Sequence, residues 1–134
     1  MKKNELIMKK FIIMTVLMVF ALGQVSAQNQ AEIKFDKMSH KFGTFSSKNP
    51  VQECTFTFTN VGDAPLVINQ AVASCGCTIP QYTKTPIGPG EKGTIKVTYN
   101  GDGKPAGHFK KTITVRSNAS TELVRLYIEG DMED

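Results

Sequence analysis

The sequence predicts an all-β fold, an immunoglobulin-like two-sheet antiparallel β-sandwich of seven or eight short strands, after an N-terminal signal peptide. Three observations point there. Beyond the leader, apolar and polar residues alternate with period two, and no stretch of ten residues or more has helical spacing. The strand candidates are rich in β-branched and aromatic residues and are separated by Gly, Pro, Asn and Asp turns. Residues 28–134 are enough for one domain and too few for two. A small closed barrel is the competing architecture. An antibody-like domain is disfavoured, because Trp is absent and Cys54 and Cys75 lie closer than an inter-sheet pair.

Residues 1–27 have the three parts of an export signal: basic residues ending at Lys9-Lys10, an apolar run from Phe11 to Leu22, and small residues at Val25-Ser26-Ala27 before a cut. Cleavage is expected before Gln28, giving a short linker at 28–31, the sandwich over 32–130 and an acidic tail at 131–134. The apolar run falls short of the roughly 20 residues that a membrane-crossing helix needs, so no stable membrane insertion is expected after cleavage. The first cysteine, Cys54, is too distant for a lipid anchor. The expected location is outside the cytoplasm, in the periplasm or at the extracellular surface of the cell.

Four of the 16 basic residues (Lys2, Lys3, Lys9, Lys10) and one of the 12 acidic residues (Glu5) lie in the leader. The mature chain then carries 12 basic against 11 acidic residues, a net charge of +1 instead of +4. Such a balance gives no reason to expect nucleic acid as a partner. Lys110-Lys111 reads as a solvated strand face.

Taken in order, Ala31 to Asp36 and Lys41 to Phe45 are short strands that bring Ile33, Phe35, Phe42 and Phe45 to a core, with a bulge at Gly43. Val51 to Thr59 is the clearest strand, with Cys54, Phe56 and Phe58 on one face and Thr55, Thr57 and Thr59 on the other. Asn60-Val61-Gly62-Asp63 is a turn, Pro65 fixes the approach to a strand over Leu66 to Ala73, and these two strands are expected to pair. Thr78 to Tyr82 is a further short strand, followed by a loop around Pro86 and Pro89. Gly93 to Tyr99 directs Ile95, Val97 and Tyr99 inward. After a wide turn over Asn100 to Gly107, Phe109 to Ser117 and Glu122 to Glu129 complete the fold with Ile113, Val115, Val124, Leu126 and Ile128 inside. Asn118-Ala119-Ser120 matches a glycosylation pattern and reads as a turn.

The string from Phe56 to Ile68, with Cys75-Gly76-Cys77-Thr78 and Pro86-Ile87-Gly88-Pro89-Gly90-Glu91, resembles the bacterial family called domain of unknown function 1573. The likeness covers nearly all of residues 32–130. Its first string is similar to a wider set of immunoglobulin-like modules, and the Cys-Gly-Cys-Thr element narrows it to this family. The resemblance implies an exported immunoglobulin-like domain common among Bacteroidetes-type bacteria, with no established activity to carry over.

Chemistry is concentrated in Cys75-Gly76-Cys77. In an extended strand both thiols leave from one face, near the upper limit of a disulfide's reach, so an internal bond requires a bend that Gly76 permits. The pair admits a structural disulfide in an oxidising compartment, a tight and reducible redox bond, or two soft ligands for copper or zinc. Met38, His40, Cys54 and His108 are the candidate further ligands, although their spacing forms no binding signature. Thiol-disulfide catalysis lacks its usual helix N-terminus, and no nucleophile elbow, zinc-protease or phosphate-loop motif occurs. The sequence therefore favours a non-catalytic envelope domain without a cofactor, holding a protein or glycan partner through its loops. Ser74, Gly76, Thr78, Pro89, Gly90 and Asp102 are the candidate contact residues. The alternative is a metal-binding or thiol-redox module built on Cys75 and Cys77.

Overall fold

The computed structural model describes residues 29–134, so the expected signal peptide and its cleavage site lie outside the described residues. Eight strands follow in order: β1 (Ile33–Phe35), β2 (Ser39–Ser46), β3 (Val51–Asn60), β4 (Ile68–Ala73), β5 (Thr78–Tyr82), β6 (Lys92–Asn100), β7 (Gly107–Ser117) and β8 (Leu123–Glu133). They form two four-stranded sheets, β1-β3-β6-β5 and β2-β8-β7-β4. This is the immunoglobulin-like sandwich that the alternation predicts, since each sheet has one apolar face to cover. Cys54, Phe56 and Phe58 from β3, Ile95, Val97 and Tyr99 from β6, Ile113 and Val115 from β7, and Leu126 and Ile128 from β8 fill the space between them. Complete burial of Phe56 and Phe58 contributes about 2–3 kcal/mol each. Val124 is half-buried and packs at the margin.

The polypeptide changes sheets without reversing direction between β1 and β2. As a result β1 runs antiparallel to β3, while β2 runs parallel to β8, a departure from the wholly antiparallel expectation. The register of β2 shifts between Lys41 and Thr44, where Gly43 has φ +70°, so the expected bulge is present.

The expected pairing of β3 with β4 is not observed. β3 lies between β1 and β6, whereas β4 pairs with β7 in the other sheet. The connection between them crosses the sandwich because Asn60 holds it there. Asn60 is fully buried; its Nδ2 donates to Ala64 O at 2.8 Å and Ile87 O at 2.9 Å, and its Oδ1 accepts from Gly62 N at 3.0 Å. Leu66 and Ile87 exchange backbone bonds of 2.8 Å across this end. Gly62 packs so closely on the backbone of Gln30, Ala31 and Glu32 that a Cβ there would collide with it. Ala31 is accordingly 2% exposed and belongs to the domain instead of a linker.

The C-terminus also differs from expectation. Asp131 to Glu133 continue β8, flanked by β2 and β7, because the alternation persists: Ile128, Gly130 and Met132 face inward between Glu129, Asp131 and Glu133. The acidic residues are the solvent face of a strand, and only Asp134 lies beyond it.

Candidate functional site

The register divides the candidate contact residues between two ends of the sandwich. Ser74, Gly76 and Asp102 lie at the end where β3 begins, and Asn100 N donates to Cys77 O at 2.8 Å, joining the two loops. Pro89 and Gly90 lie at the opposite end. There they form the centre of a turn closed by a bond from Glu91 N to Gly88 O at 3.0 Å, with Gly90 at φ +80° as a type II turn requires. Gly90 N also donates to Asn60 O at 2.8 Å, tying that turn to the buried hub. Thr78 opens β5 facing inward and is 4% exposed, so it is a core residue and offers nothing to a partner. Ser74 Oγ accepts a bond from Thr112 N at 3.2 Å. Asp102 remains an exposed turn residue whose N–H donates to Asn100 Oδ1 at 3.0 Å.

Cys75 and Cys77 form a close pair at the corner where the chain leaves β4 for β5. Their Cα atoms are 5.2 Å apart and their sulfurs are within bonding distance, so Gly76 provides the bend that full extension would deny. A turn bond from Thr78 N to Cys75 O at 3.2 Å closes the corner. Both cysteines are half-exposed and Gly76 is exposed at its tip.

The odd cysteine is Cys54, free and 8% exposed inside the sandwich. Burial pushes its thiol up to about 11 against the opposing pull of Lys37, which keeps it protonated and weakly nucleophilic. Met38 precedes β2 and His40 lies on it, at the edge of the second sheet opposite β4. Lys37 Nζ donates to His40 Nδ1 at 2.9 Å. Burial, and then the Lys37 charge, hold the His40 imidazole below its ordinary range. His108 is four residues along β7 from Thr112, roughly 13 Å, and faces Asp131 Oδ1 at 3.0 Å and Glu129 Oε2 at 3.5 Å. The fold thus brings none of the four candidate ligands to Cys75 and Cys77. Among the described residues no group of three or more His, Cys, Asp or Glu could hold a metal ion.

The feature that sequence reasoning missed is the edge of β4, which has no strand beside it among the described residues. Ser74 N donates to Thr112 O, which fixes the even-numbered residues of β4 as those bonded to β7. The main-chain N–H and C=O of Ala71 and Ala73 therefore point away from the sheet. From Gln70 to Ala73 this edge is regular and carries no charge, Pro or Gly, and Val72 on its outer face is 47% exposed. Among the described residues, the other edge strands β5, β1 and β2 and the open stretch of β3 each carry a feature that discourages pairing. On β5, Pro80 places its missing N–H on the open side, since Thr83 N and Cys77 O fix the odd positions as those facing β6. β1 has three residues, β2 is bulged at Gly43, and the stretch of β3 beyond β1 carries Glu53, paired with Lys96 at 3.5 Å. The legible signal was the lack of charge over Ile68–Ala73, which reads equally well as an interior strand.

Residues 33–132 match the family described as Protein of unknown function (DUF1573). The chain belongs to this family. No curated protein matches the DUF1573 chain. Among solved structures it is similar to a protein of unknown function from Porphyromonas gingivalis W83, with a TM-score of 0.69 and 13% identity over 81% of this chain. It spans 50% of that protein. The ASH/PapD-like domain 7 of human CEP192 matches with a TM-score of 0.63 and 9% identity, over 83% of this chain and 92% of that domain. The YadV chaperone matches with a TM-score of 0.55 and 13% identity, over 77% of this chain and 53% of that one. At such identities the likeness is one of fold, an immunoglobulin-like β-sandwich.

Proposed function

We propose that this chain is an exported, non-catalytic interaction domain of the bacterial envelope, periplasmic or at the cell surface, that holds a protein partner by main-chain pairing along β4. The unguarded edge at Ala71 and Ala73 carries this reading. Free N–H and C=O groups at strand spacing recognise another main chain, and the alternating side chains supply selectivity. The same feature favours a protein over a glycan, because extended backbone pairs group for group with that edge. PapD-like sandwiches among the structural neighbours, including a chaperone, fit an interaction domain.

A photo-crosslinking residue at Val72 in the exported protein tests this reading. Adducts with envelope protein are expected from Val72 and not from Ile79, which is the more exposed of the two, on Pro-guarded β5. Equal adducts from both positions, or none from Val72, would count against β4.

The half-exposed cysteine pair supports a second reading, a thiol-redox module in which Cys75 and Cys77 exchange their bond with an external dithiol. The Cys75→Ser/Cys77→Ser double variant separates the two. It keeps the Val72 adducts if the domain is an interaction module and loses them if the cysteines are the working atoms.

A further inference from the structure

Resting on β4 as the docking edge proposed above, we propose that its occupant is a second copy of this chain. The two β4 strands run antiparallel about a two-fold axis through Val72, and the two second sheets become one continuous sheet of eight strands.

The sequence around Val72 is nearly its own mirror: Gln70-Ala71-Val72-Ala73-Ser74. A two-fold interface presents the same patch twice, so self-complementarity is its requirement. With the axis at Val72, Ala71 faces Ala73 of the other copy and Ala73 faces its Ala71. These are the residues whose main-chain groups point outward, so each pair exchanges two hydrogen bonds. Val72 then meets Val72 in the non-hydrogen-bonded pair, where side chains approach most closely, with Cα atoms about 4.5 Å apart. This covers an apolar side chain otherwise 47% exposed. On the same outer face Gln70 meets Ser74 of the other copy, an amide opposite a hydroxyl.

A shift by one residue sets the bonding groups of one strand against the side of the other that already bonds β7. A shift by two removes the Val72 pair and sets it against a polar residue. Charge permits the same occupant: no ionised group lies on Ile68–Ala73, so two copies meet without repulsion along the strand. The β3 edge would instead bring Glu53 against its own copy. The contact is a single strand pair, well below the roughly 1,200 Å² of a stable interface, so association is reversible and concentration-dependent.

The test uses the purified mature protein. Sedimentation over a concentration series to about 1 mM, the weak-affinity limit, is expected to show the average mass rising towards twice the monomer's. Val72→Lys, which opposes two ammonium groups at the axis, is expected to stay monomeric with its melting temperature unchanged. Val72→Cys under mild oxidation is expected to give a covalent dimer joined 72 to 72. Gln70→Cys, exposed on the same strand but roughly 13 Å from its mate in this register, is expected to give none. A wild type that remains monomeric throughout, or equal covalent dimer from Gln70→Cys and Val72→Cys, overturns the pairing. Val72 crosslinks to a different envelope protein, with a monomeric purified chain, would reject the second copy and retain the docking edge. Absence of any Val72 adduct from either experiment rejects both.

Discussion

Replacing Asn60 perturbs the point where both sheets are joined at one end. Its side chain makes three bonds of 3.0 Å or shorter, to Ala64 O, Ile87 O and Gly62 N, in a site with no exposure. A buried hydrogen bond contributes a net of about 1 kcal/mol, and partners left unpaired add their own desolvation penalty. Asn60→Ala is therefore expected to destabilise the domain by about 3–4 kcal/mol, a large part of the 5–15 kcal/mol typical of a domain. The melting temperature falls by roughly 12–32 °C on the scale for small domains. Asn60→Asp separates hydrogen bonding from volume, because it keeps the size and the Oδ1 acceptor but turns an oxygen towards the Ala64 and Ile87 carbonyls. Near neutral pH it is expected to be at least as damaging as Ala, with partial recovery in acid as the carboxyl regains one donor. Urea unfolding followed by circular dichroism measures both variants. A melting temperature for Asn60→Asp within about 2 °C of wild type would refute the reasoning, since the shape would then suffice without the donors.

Opening the Cys75–Cys77 bond, which closes only a three-residue loop, is expected to lower stability by about 1.5 kcal/mol on the chain-entropy scale; unfolding with and without reductant measures it, and a loss above about 4 kcal/mol would mean that the bond holds the β4–β5 corner together. Cys54, buried and pushed up to about 11, is expected to resist iodoacetamide at pH 8 in the native protein and to react on unfolding; native labelling as fast as in urea would contradict its burial. His40 is held below its ordinary 6.5 in the folded state by burial and Lys37, so the unfolded chain binds its proton more readily. Its stabilising contribution is present above pH 6.5 and is lost as the pH falls towards the lower folded value; His40→Asn is expected to reduce the change in melting temperature between pH 7.5 and pH 5.5, and an unchanged slope would exclude His40 as a source.

Most of the sandwich was legible because alternation directly encodes which face is buried. Phe56, Phe58, Ile95, Val97, Tyr99, Ile113, Val115, Leu126 and Ile128 all occupy the expected interior. The bulge at Gly43 followed from the backbone freedom of a residue that lacks a Cβ. Pairing was less legible, because a turn-forming string such as Asn60-Val61-Gly62-Asp63 has the same composition whether it reverses a hairpin or crosses between sheets. What decides is Asn60 reaching Ile87, a contact over 27 residues that no local pattern contains. The acidic terminus was misjudged for a related reason: three acidic residues outweighed a period-two signal maintained by Gly130 and Met132.

The candidate site was less legible still, and the cause is physical. Chemically conspicuous residues proved to be architectural: Pro89 and Gly90 form a turn, Thr78 fills the core, and Asn60 and Gly62 fasten the crossing between sheets. The string that carries the family resemblance is thus largely explained by the demands of folding, so the likeness predicts the sandwich and is silent about its partner. The free edge of β4 depends instead on what its residues lack. Ala71, Val72 and Ala73 have no charge, proline or glycine, and such a segment would be unremarkable at the centre of a sheet. Only the strand order, which among the described residues places β4 outside β7, while Pro80, Gly43 and Glu53 interrupt the edges of β5, β2 and β3, makes that plain sequence an available surface. In the proposed pairing the recognition chemistry belongs to the backbone, and the side chains act mainly by leaving it accessible.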